Sequence, residues 1–361
     1  MNIVSFLKNP MSYIKSVPAH IQWTSFGARY LTPKLKSVQI EPTNACHLRC
    51  EMCTSQVIDK ESLTAKKGIM DVGLFERIID QSSELGVQAI GLNYSGEPLI
   101  HPEFKRMLKY AESKKAFSIG FNTSADKLVS DIQDVVVEHC AGIGISMEGF
   151  QETHEKIRRG SSYDVVSSHV QELIDKRKSR NQTTPHVKLN LTKSSQTEEE
   201  TKSFIDHWSQ IVDCVQVNEC YNSDYSLKVS FNEDSKDTVK SGRLLCHEPW
   251  HYMAILWDGR VTICCNDLRQ HGLKGLNAND MSIRDIWRSS VYKSVRLSQT
   301  NRQYTDPEFC KNCDEWVKHH VNIESQKNGY RTVNNGTNMR FYRAENGAQI
   351  APEVLERSSL I

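Results

Sequence analysis

Three cysteines, Cys46, Cys50 and Cys53, stand close together near the start of the chain with the spacing C-x3-C-x2-C. Thiolates bind iron–sulfur clusters, and the usual number of cysteine ligands is four. Three thiolates leave one iron of a four-iron cluster open, and an open coordination position is what a catalytic metal site needs. A zinc site would need a fourth ligand nearby, but His47 stands between two of the thiolates. The spacing therefore favours a [4Fe–4S] cluster over a zinc knuckle.

Four more cysteines form a wider set in the second half of the chain: Cys246, Cys264, Cys310 and Cys313. Gly259 lies between the first two, and the last two form a C-x2-C pair. Four thiolates can hold a second [4Fe–4S] cluster or a structural zinc ion, because thiolate geometry alone does not separate the two. We expect the cluster and keep zinc as the alternative.

Cys265 directly follows one of these ligands. Successive side chains on a strand point to opposite faces, so the spacing favours Cys264 as the ligand and leaves Cys265 facing elsewhere. Cys265 is then either a packed free cysteine or an accessible thiol that can donate a hydrogen atom. Three further cysteines are interpreted as small buried hydrophobic residues, namely Cys140, Cys214 and Cys220.

The segments around the first cysteine set alternate between strands and helices. Strands are predicted over residues 37–41, 88–93, 117–121, 142–146, 186–191 and 214–217, and helices over 74–85, 104–113, 131–139, 163–178 and 198–208. Six strands alternating with helices are typical of a parallel α/β sheet or barrel.

The alternation stops near residue 225. Residues 253–264 predict a hairpin whose Asp258-Gly259 suits a type I′ turn, and residues 282–290 predict a helix capped by Ser282. From about residue 331 the chain is polar, and we expect a loosely packed tail. The predicted domains are an N-terminal extension over 1–36, a barrel over 37–228, a second domain over 229–330 and a polar tail over 331–361.

Composition narrows the classes of function. Lys plus Arg (45) and Asp plus Glu (44) nearly cancel, so no overall basic field attracts nucleic acid. No apolar run reaches the about 18 residues of a membrane span, and Lys8, Pro10, Lys15 and Pro18 interrupt the N-terminus, which makes a poor signal peptide. An odd total of 11 cysteines favours metal ligands over a disulfide framework. We expect a cytoplasmic protein without a transmembrane segment.

The C-x3-C-x2-C loop behind the first strand resembles the signature of the radical S-adenosylmethionine (radical SAM) superfamily. The resemblance implies a partial (β/α)6 barrel in which the amino and carboxylate groups of S-adenosylmethionine chelate the open iron. It implies that an electron from the cluster cleaves the sulfonium and yields a 5′-deoxyadenosyl radical that abstracts hydrogen from a substrate. It also implies an electron donor such as flavodoxin or ferredoxin.

Other stretches resemble the cofactor contacts of that family. Tyr94 to Pro98 resembles its Gly-Gly-Glu-Pro motif, which implies that Gly96 permits a close backbone approach and that Glu97 binds the methionine ammonium. Met52 is expected to pack on the adenine. The segment Asn122-Thr123-Ser124 resembles the Thr-Asn-Gly segment of the family only distantly, and little is predicted from it.

Two more stretches complete this resemblance. Ser146-Met147-Glu148 resembles the position that contacts the ribose, which implies binding roles for Ser146 and Glu148. The segment from His154 to Gly160 resembles one whose arginine reaches the methionine carboxylate. Arg159 is the better match and Arg158 is the alternative. These stretches follow strand ends, where the active sites of barrels are built.

The second cysteine set resembles the first part of a SPASM domain. No cysteine follows Cys313, which points to the shortened form, called a twitch domain, with one auxiliary [4Fe–4S] cluster. The layout is closest to that of 2-deoxy-scyllo-inosamine dehydrogenase. Together with an extension below the about 40 residues that rarely fold alone, it favours a small polyhydroxylated substrate, a sugar or an aminocyclitol, that is oxidised. The alternatives are epimerisation, modification of a peptide or protein, and a non-enzymatic iron–sulfur electron carrier.

Overall fold

The computed structural model describes residues 33–53, 67–219, 245–265 and 272–304, residues 243, 267, 307–311, 313 and 316, and the backbone of three strands between residues 323 and 344. The N-terminal residues 1–32 and Cys220 lie outside the described residues. No helix among the described residues has both the length and the apolar character needed to cross a membrane.

Twenty-one strands and helices make up the described fold. In chain order they are β1 (Ser37–Ile40), β2 (Arg49–Cys50), α1 (Val72–Glu84), β3 (Ala89–Gly91), α2 (Phe104–Ser113), β4 (Ser118–Thr123), α3 (Ser130–His139), β5 (Gly142–Ser146), α4 (Gln151–Ile157), β6 (Arg158–Arg159), α5 (Tyr163–Ser179), β7 (His186–Lys193), α6 (Glu198–Trp208), β8 (Cys214–Glu219), β9 (Tyr252–Ile255), β10 (Val261–Thr262), α7 (Ile283–Arg288), α8 (Ser290–Thr300), β11 (Ile323–Lys327), β12 (Tyr330–Asn334) and β13 (Met339–Ala344).

The six strands predicted for the barrel are all present and all parallel. Their order in the sheet, β1-β3-β4-β5-β7-β8, follows their order in the chain. Each crossover carries a helix, and the first crossover also contains, between β1 and α1, the segment that holds the first cysteine set. The predicted partial barrel is therefore confirmed. Parallel strands joined in this way bring their carboxyl ends, and the loops that follow them, to one edge.

The two faces of the parallel strands differ in chemistry. One face carries apolar side chains such as Val38, Ile90, Ile145 and Leu189, which are buried in the core with the helices. Side chains alternate along a strand, so the neighbouring positions line the inner face. That inner face carries Gln39, Asn122, Lys188, Asn190 and Gln216. The apolar face fixes the register, because a slip of one residue would turn it toward the interior of the barrel.

Two additions widen the sheet. The hairpin of β9 and β10 joins it through β9, which runs parallel to β1. At the opposite edge, β13 pairs antiparallel with β8, and β12 and β11 follow. The helix predicted after the hairpin is also present as α7, and the Ser282 side chain caps it by accepting from the amide of Asp285.

The predicted type I′ turn of the hairpin is wrong. That turn needs positive φ at both central residues, but Gly259 has a φ of 85° and Asp258 has no positive φ. The Gly259 amide donates to the Leu256 carbonyl (2.9 Å), and the Leu256 amide donates to the Arg260 carbonyl (2.8 Å). This is the pattern of a three-residue loop that ends on a glycine with a left-handed backbone conformation. Gly259 therefore lies in the hairpin turn as predicted, but the turn is of a different type.

The expected loosely packed tail is wrong for residues 331–334 and 339–344. They form most of β12 and all of β13, in register with each other and with β8. The edge of a parallel sheet presents backbone groups that need partners. A strand can pair with that edge through its backbone, whatever its side chains are. The polar composition of this segment was therefore not evidence against a strand.

Candidate active site

The first cysteine loop is anchored by a two-residue ladder. In it β2 pairs antiparallel with β6, which places Cys50 opposite Arg158 and Arg49 opposite Arg159. The amide of Glu51 also donates to the Ile157 carbonyl (2.8 Å). The cysteine loop is thereby tied to the segment that follows β5.

The three thiols of the loop lie within electrostatic range of one another. Burial raises the pKa of Cys46 to about 11, and Cys50 and Cys53 add to the shift. Burial also raises the pKa of Cys50, while the Arg158 guanidinium opposes that shift. Over the described ranges no three Cys, His, Asp or Glu side chains converge as they would around one metal ion. Partly buried thiols spread around a loop, with a cation beside them, fit a multi-atom cluster.

Gly96 packs against the loop that leads to the cysteines. A Cβ at this position would lie closer than 3.0 Å to the carbonyl oxygens of Thr43 and Ala45. The amide of Glu97 donates to the Ala45 carbonyl (2.9 Å). The close approach predicted for Gly96 is therefore made to the cysteine loop, which gives this glycine a physical reason within the protein.

Glu97 is buried and held by three donors. Its carboxylate accepts from the Thr123 hydroxyl (2.6 Å), the Ser124 amide (2.8 Å) and the Leu99 amide (3.2 Å). A carboxylate has about four acceptor positions, so one stays open for a ligand such as an ammonium. Thr123 and Ser124, from which the sequence analysis predicted little, are thus the residues that orient Glu97. The sequence feature that could have indicated this role is the pair of hydroxyl residues at the end of this strand.

Glu148 is fully buried and paired. It accepts from the Arg158 guanidinium (2.7 Å) and from the Thr192 amide (2.6 Å). The cost of burying this carboxylate is offset by the charge of Arg158 and by these hydrogen bonds. Glu148 is predicted from the sequence to contact a ribose, and no sequence pattern indicates Thr192. Ser146, at the end of β5, is partly buried on the inner face.

The structure favours Arg158 over Arg159 as the arginine of the site. The Arg158 side chain is 13% exposed, and its Nη1 lies 3.8 Å from the Sγ of Cys50. The Arg159 side chain is 64% exposed and lies 3.7 Å from Glu51. The reason is the alternation of side chains in β6, which sends two adjacent arginines in opposite directions. A motif match could not decide between them.

A chain of hydrogen bonds supports the segment that carries Arg158. His154 is fully buried; its Nδ1 accepts from the Glu148 amide (3.2 Å), and its Nε2 lies 2.9 Å from the Ser161 hydroxyl. That hydroxyl donates to Asp126 (2.8 Å), so His154 is neutral with its proton on Nε2. Burial lowers the pKa of His154 to about 4, and the charge of Arg158 adds to the effect.

Each cysteine of the second set has described neighbours in the C-terminal half of the chain. Arg243 donates to the Cys310 carbonyl (2.5 Å), and its guanidinium lies 3.9 Å above the Tyr304 ring. Burial raises the pKa of Tyr304, and Cys246 adds to that shift against the nearby arginines. Cys264 and Cys310 are both buried in the main apolar cluster. Cys313 follows a turn in which its amide bonds the Cys310 carbonyl (3.3 Å).

Tyr94 and Glu41 join the barrel to this second set. The buried Tyr94 hydroxyl donates to the carbonyl oxygens of Cys264 (2.9 Å) and Asp267 (3.2 Å). The buried Glu41 carboxylate accepts from the Ser95 hydroxyl (2.5 Å) and from the Trp257 amide (3.2 Å). The two cysteine sets are thus connected through residues next to Gly96, a link that cysteine spacing did not reveal.

Cys265 and Met52, which are also predicted for the site, lie in two different places. Cys265 is exposed, whereas Cys264 is buried. Burial raises the pKa of Tyr94 and of Tyr252, and the nearby thiols of Cys265 and Cys264 add to both shifts. Met52 is partly buried in the turn after β2.

Family models match both halves of the chain. Residues 40–203 match the Radical SAM superfamily, and residues 246–314 match SPASM, an iron–sulfur cluster-binding domain. The chain belongs to the radical SAM superfamily. Both matches lie within the domains predicted over 37–228 and 229–330, and they confirm the resemblance that the cysteine spacing carried.

Among curated proteins, this radical SAM chain is similar to the tungsten-containing aldehyde ferredoxin oxidoreductase cofactor-modifying protein of Pyrococcus furiosus. The two are 31% identical over 117 residues, which is 32% of this chain and 30% of that protein. The alignment therefore spans less than a third of that relative.

Solved structures share the radical SAM fold. SuiB of Streptococcus suis, bound to the precursor peptide SuiA, superposes with a TM-score of 0.58 at 15% identity over 73% of this chain and 67% of that one. BtrN, in complex with AdoMet and 2-DOIA, gives a TM-score of 0.49 at 15% identity over 78% and 93%. Likeness at this identity concerns the fold and leaves the substrate undetermined.

The residues of the site fit the cofactors of this superfamily. A radical SAM domain uses a [4Fe–4S] cluster and S-adenosylmethionine, and a SPASM domain holds auxiliary iron–sulfur clusters. The thiols of Cys46, Cys50 and Cys53 would hold the first cluster. Glu97, with its open acceptor position, and Arg158, beside Cys50, have the charges that an amino and a carboxylate group need. The thiols of the second set would hold the auxiliary cluster.

Proposed function

We propose that this protein is a radical SAM enzyme that removes a hydrogen atom from a small polyhydroxylated substrate, a sugar or an aminocyclitol, and oxidises it at a carbinol carbon. The supporting observation is the polar inner face of the barrel, which carries the amides Gln39, Asn122, Asn190, Gln216 and Asn218. An amide both donates and accepts hydrogen bonds, which suits a ring of hydroxyl groups. An apolar or aromatic substrate would leave the remaining donor and acceptor positions of these amides unsatisfied.

The chain's own residues hold these amides in place. Gln39 donates to the Asn93 carbonyl (2.5 Å) and accepts from the Tyr252 hydroxyl. Asn190 donates to the Asn122 side chain (3.3 Å) across Gly144, where a side chain would collide with both. Amides fixed in this way lose little further freedom when a substrate binds, which favours recognition of one arrangement of hydroxyls.

When bound, the first cluster and S-adenosylmethionine supply the radical that removes hydrogen. Oxidation of the substrate then requires the loss of one electron from the carbinol carbon and of the hydroxyl proton, which leaves a carbonyl. The SPASM cysteines would hold the iron–sulfur acceptor of that electron. An electron donor such as flavodoxin or ferredoxin would supply the electron that starts the reaction.

Epimerisation is the second candidate, and the position of Cys265 favours it. An epimerase returns a hydrogen atom to the opposite face of the substrate radical and needs a donor such as a thiol. Cys265 is exposed and lies close enough to Tyr94 and Tyr252 to raise the pKa of both, and an exposed thiol is not a packed core cysteine. Modification of a peptide and a role as an electron carrier are supported by no residue of the described site.

The test uses anaerobically reconstituted protein with dithionite, S-adenosylmethionine and a panel of sugars and aminocyclitols in deuterated water. A substrate of the proposed class accelerates the formation of 5′-deoxyadenosine and leaves an oxidised product without solvent deuterium. Deuterium at the reacting carbon that is lost in Cys265→Ala identifies an epimerase instead. Acceleration by peptides alone, or no cleavage of S-adenosylmethionine, would contradict the proposal.

A further inference from the structure

Lys188 occupies the inner face of the barrel without a partner among the described residues. On β7 it lies in register between Gly144 of β5 and Cys214 of β8. Asn190, two residues later on the same face, reaches across Gly144 to Asn122. The described residues give the Lys188 ammonium no hydrogen bond and no ion pair. Lys188 is therefore an inner-face cation that has no counter-charge among the described residues.

The electrostatic surroundings of Lys188 contain no acid within the described part of the chain. Burial lowers the pKa of Lys188, and the Cys214 thiol opposes that shift. The neighbouring inner positions, Asn190 and Gln216, are neutral amides. A partly buried ammonium without a counter-charge destabilises a fold, and such groups concentrate where they bind a ligand.

Lys188 lies deeper in the barrel than the residues assigned to S-adenosylmethionine. Thr192, whose amide binds Glu148, follows Lys188 by four residues on the same strand, which places the Arg158–Glu148 pair about 13 Å closer to the mouth at ~3.3 Å per residue. Arg158, which lies beside Cys50 and is paired with Glu148, is the cation that we assign to the methionine carboxylate. Lys188 is therefore a second, separate cation on the inner face, and neither Glu148 nor the cysteine loop uses it.

We propose that Lys188 binds an anionic group, a phosphate or a carboxylate, and so selects a negatively charged member of the substrate class. The inference rests on the proposed function, in which the inner amides bind the hydroxyl groups of the same molecule. A lysine binds phosphate or carboxylate as a point charge. The amide neighbours then satisfy the remaining oxygens of the anion.

The test compares wild type, Lys188→Met and the control Lys178→Met, which changes an exposed lysine on α5. All three are loaded with clusters and S-adenosylmethionine. The probes are glucose, glucose 6-phosphate and glucuronate, with matched neutral and charged aminocyclitols. The measurements are the thermal unfolding midpoint against probe concentration, the affinity for S-adenosylmethionine, and the rate of 5′-deoxyadenosine formation.

We expect charged probes to protect the wild type and the control more than neutral ones do. Lys188→Met should need about ten to a hundred times more of the charged probe, since a hydrogen bond to a charged group is lost. It should bind S-adenosylmethionine normally and, without probe, unfold no earlier than the wild type, because an uncompensated cation has been removed. Comparison of glucose 6-phosphate with glucuronate shows whether the site prefers a phosphate or a carboxylate.

Two results would overturn the assignment. If the neutral and charged members of every probe pair protect the wild type equally, or if neither protects it, Lys188 does not form an anion site. An earlier unfolding midpoint of Lys188→Met without probe makes the lysine a structural residue. If acidic peptides stimulate 5′-deoxyadenosine formation in a Lys188-dependent way and sugars do not, the proposed substrate class fails while the anion site stands.

Discussion

Arg158 and Cys50 face each other across a two-residue ladder, with 3.8 Å between the guanidinium Nη1 and the thiol Sγ. The same guanidinium binds the buried Glu148 at 2.7 Å. One arginine thus connects the cysteine loop, the end of β5 and, through Glu148, the backbone of Thr192. In the proposed site, this single cation would serve both the thiolate cluster and the carboxylate of the cofactor.

Arg158 and Arg159 should differ in their effect on S-adenosylmethionine. Removing Arg158 should weaken cofactor binding by about 1.5–3 kcal/mol, the value of a charge-assisted contact, whereas Arg159→Ala should leave the affinity unchanged. Isothermal titration with reconstituted protein measures both. Loss of affinity in Arg159→Ala with none in Arg158→Met would return the assignment to Arg159.

Arg158→Met should also destabilise the fold, because it leaves the Glu148 carboxylate buried without its counter-charge, at a cost of about 3–5 kcal/mol. The double variant Glu148→Gln, Arg158→Met removes both charges and should recover much of that loss in denaturant unfolding. Its affinity for S-adenosylmethionine should stay weak. Full recovery of the affinity along with the stability would show that Arg158 acts through folding alone.

The two cysteine sets predict the iron content. Anaerobically purified protein should carry about eight irons per chain, four for each cluster. A triple variant with alanine at Cys46, Cys50 and Cys53 should retain half of them, since the auxiliary set is untouched. Iron and zinc are measured together by elemental analysis. Four irons and one zinc in the unmutated protein would contradict the auxiliary cluster and leave the first one in place.

Gly96→Ala should lower the occupancy of the first cluster. The added Cβ would lie closer than 3.0 Å to backbone oxygens of Thr43 and Ala45, and backbone cannot yield as a flexible side chain can. The cysteine loop must therefore shift. Gly142→Ala is the matched control, since its Cβ meets the nearest atom at 3.6 Å, an ordinary contact. Iron content, reduced for Gly96→Ala and normal for Gly142→Ala, checks the prediction; equal content in both variants would refute it.

His154 should make the fold less stable between about pH 6.5 and pH 4. Its pKa falls from 6.5 to about 4 in the folded state, so the unfolded chain binds more protons in this window. The stability contribution is complete above pH 6.5 and decreases as the pH falls, by about 3 kcal/mol at most. Urea unfolding of wild type and His154→Gln at pH 7 and pH 5 measures it. The pH dependence should shrink in His154→Gln and persist in the control His207→Gln.

The alternation of strand and helix patterns in the sequence determined most of the fold, and the cysteine spacing determined the kind of chemistry. Three helices and strands agree with their predicted bounds residue for residue, α2 (104–113), β5 (142–146) and α6 (198–208). Side-chain periodicity is a local property, so the sequence carries it directly. The cysteine spacing is local too, and it was enough to identify the superfamily.

Only the tertiary structure decided which side chains meet. Arg158 and Arg159 are adjacent in the chain, and the pairing of β6 with β2 determines which of them reaches Cys50. Thr123 orients Glu97 from 26 residues away, and the register of β7 with β5 and β8 places Lys188 between Gly144 and Cys214, neither of which is an acid. The pairing of β13 with β8 likewise depends on an edge that forms elsewhere in the chain. Such contacts arise from register and long-range packing, which no window of the sequence contains.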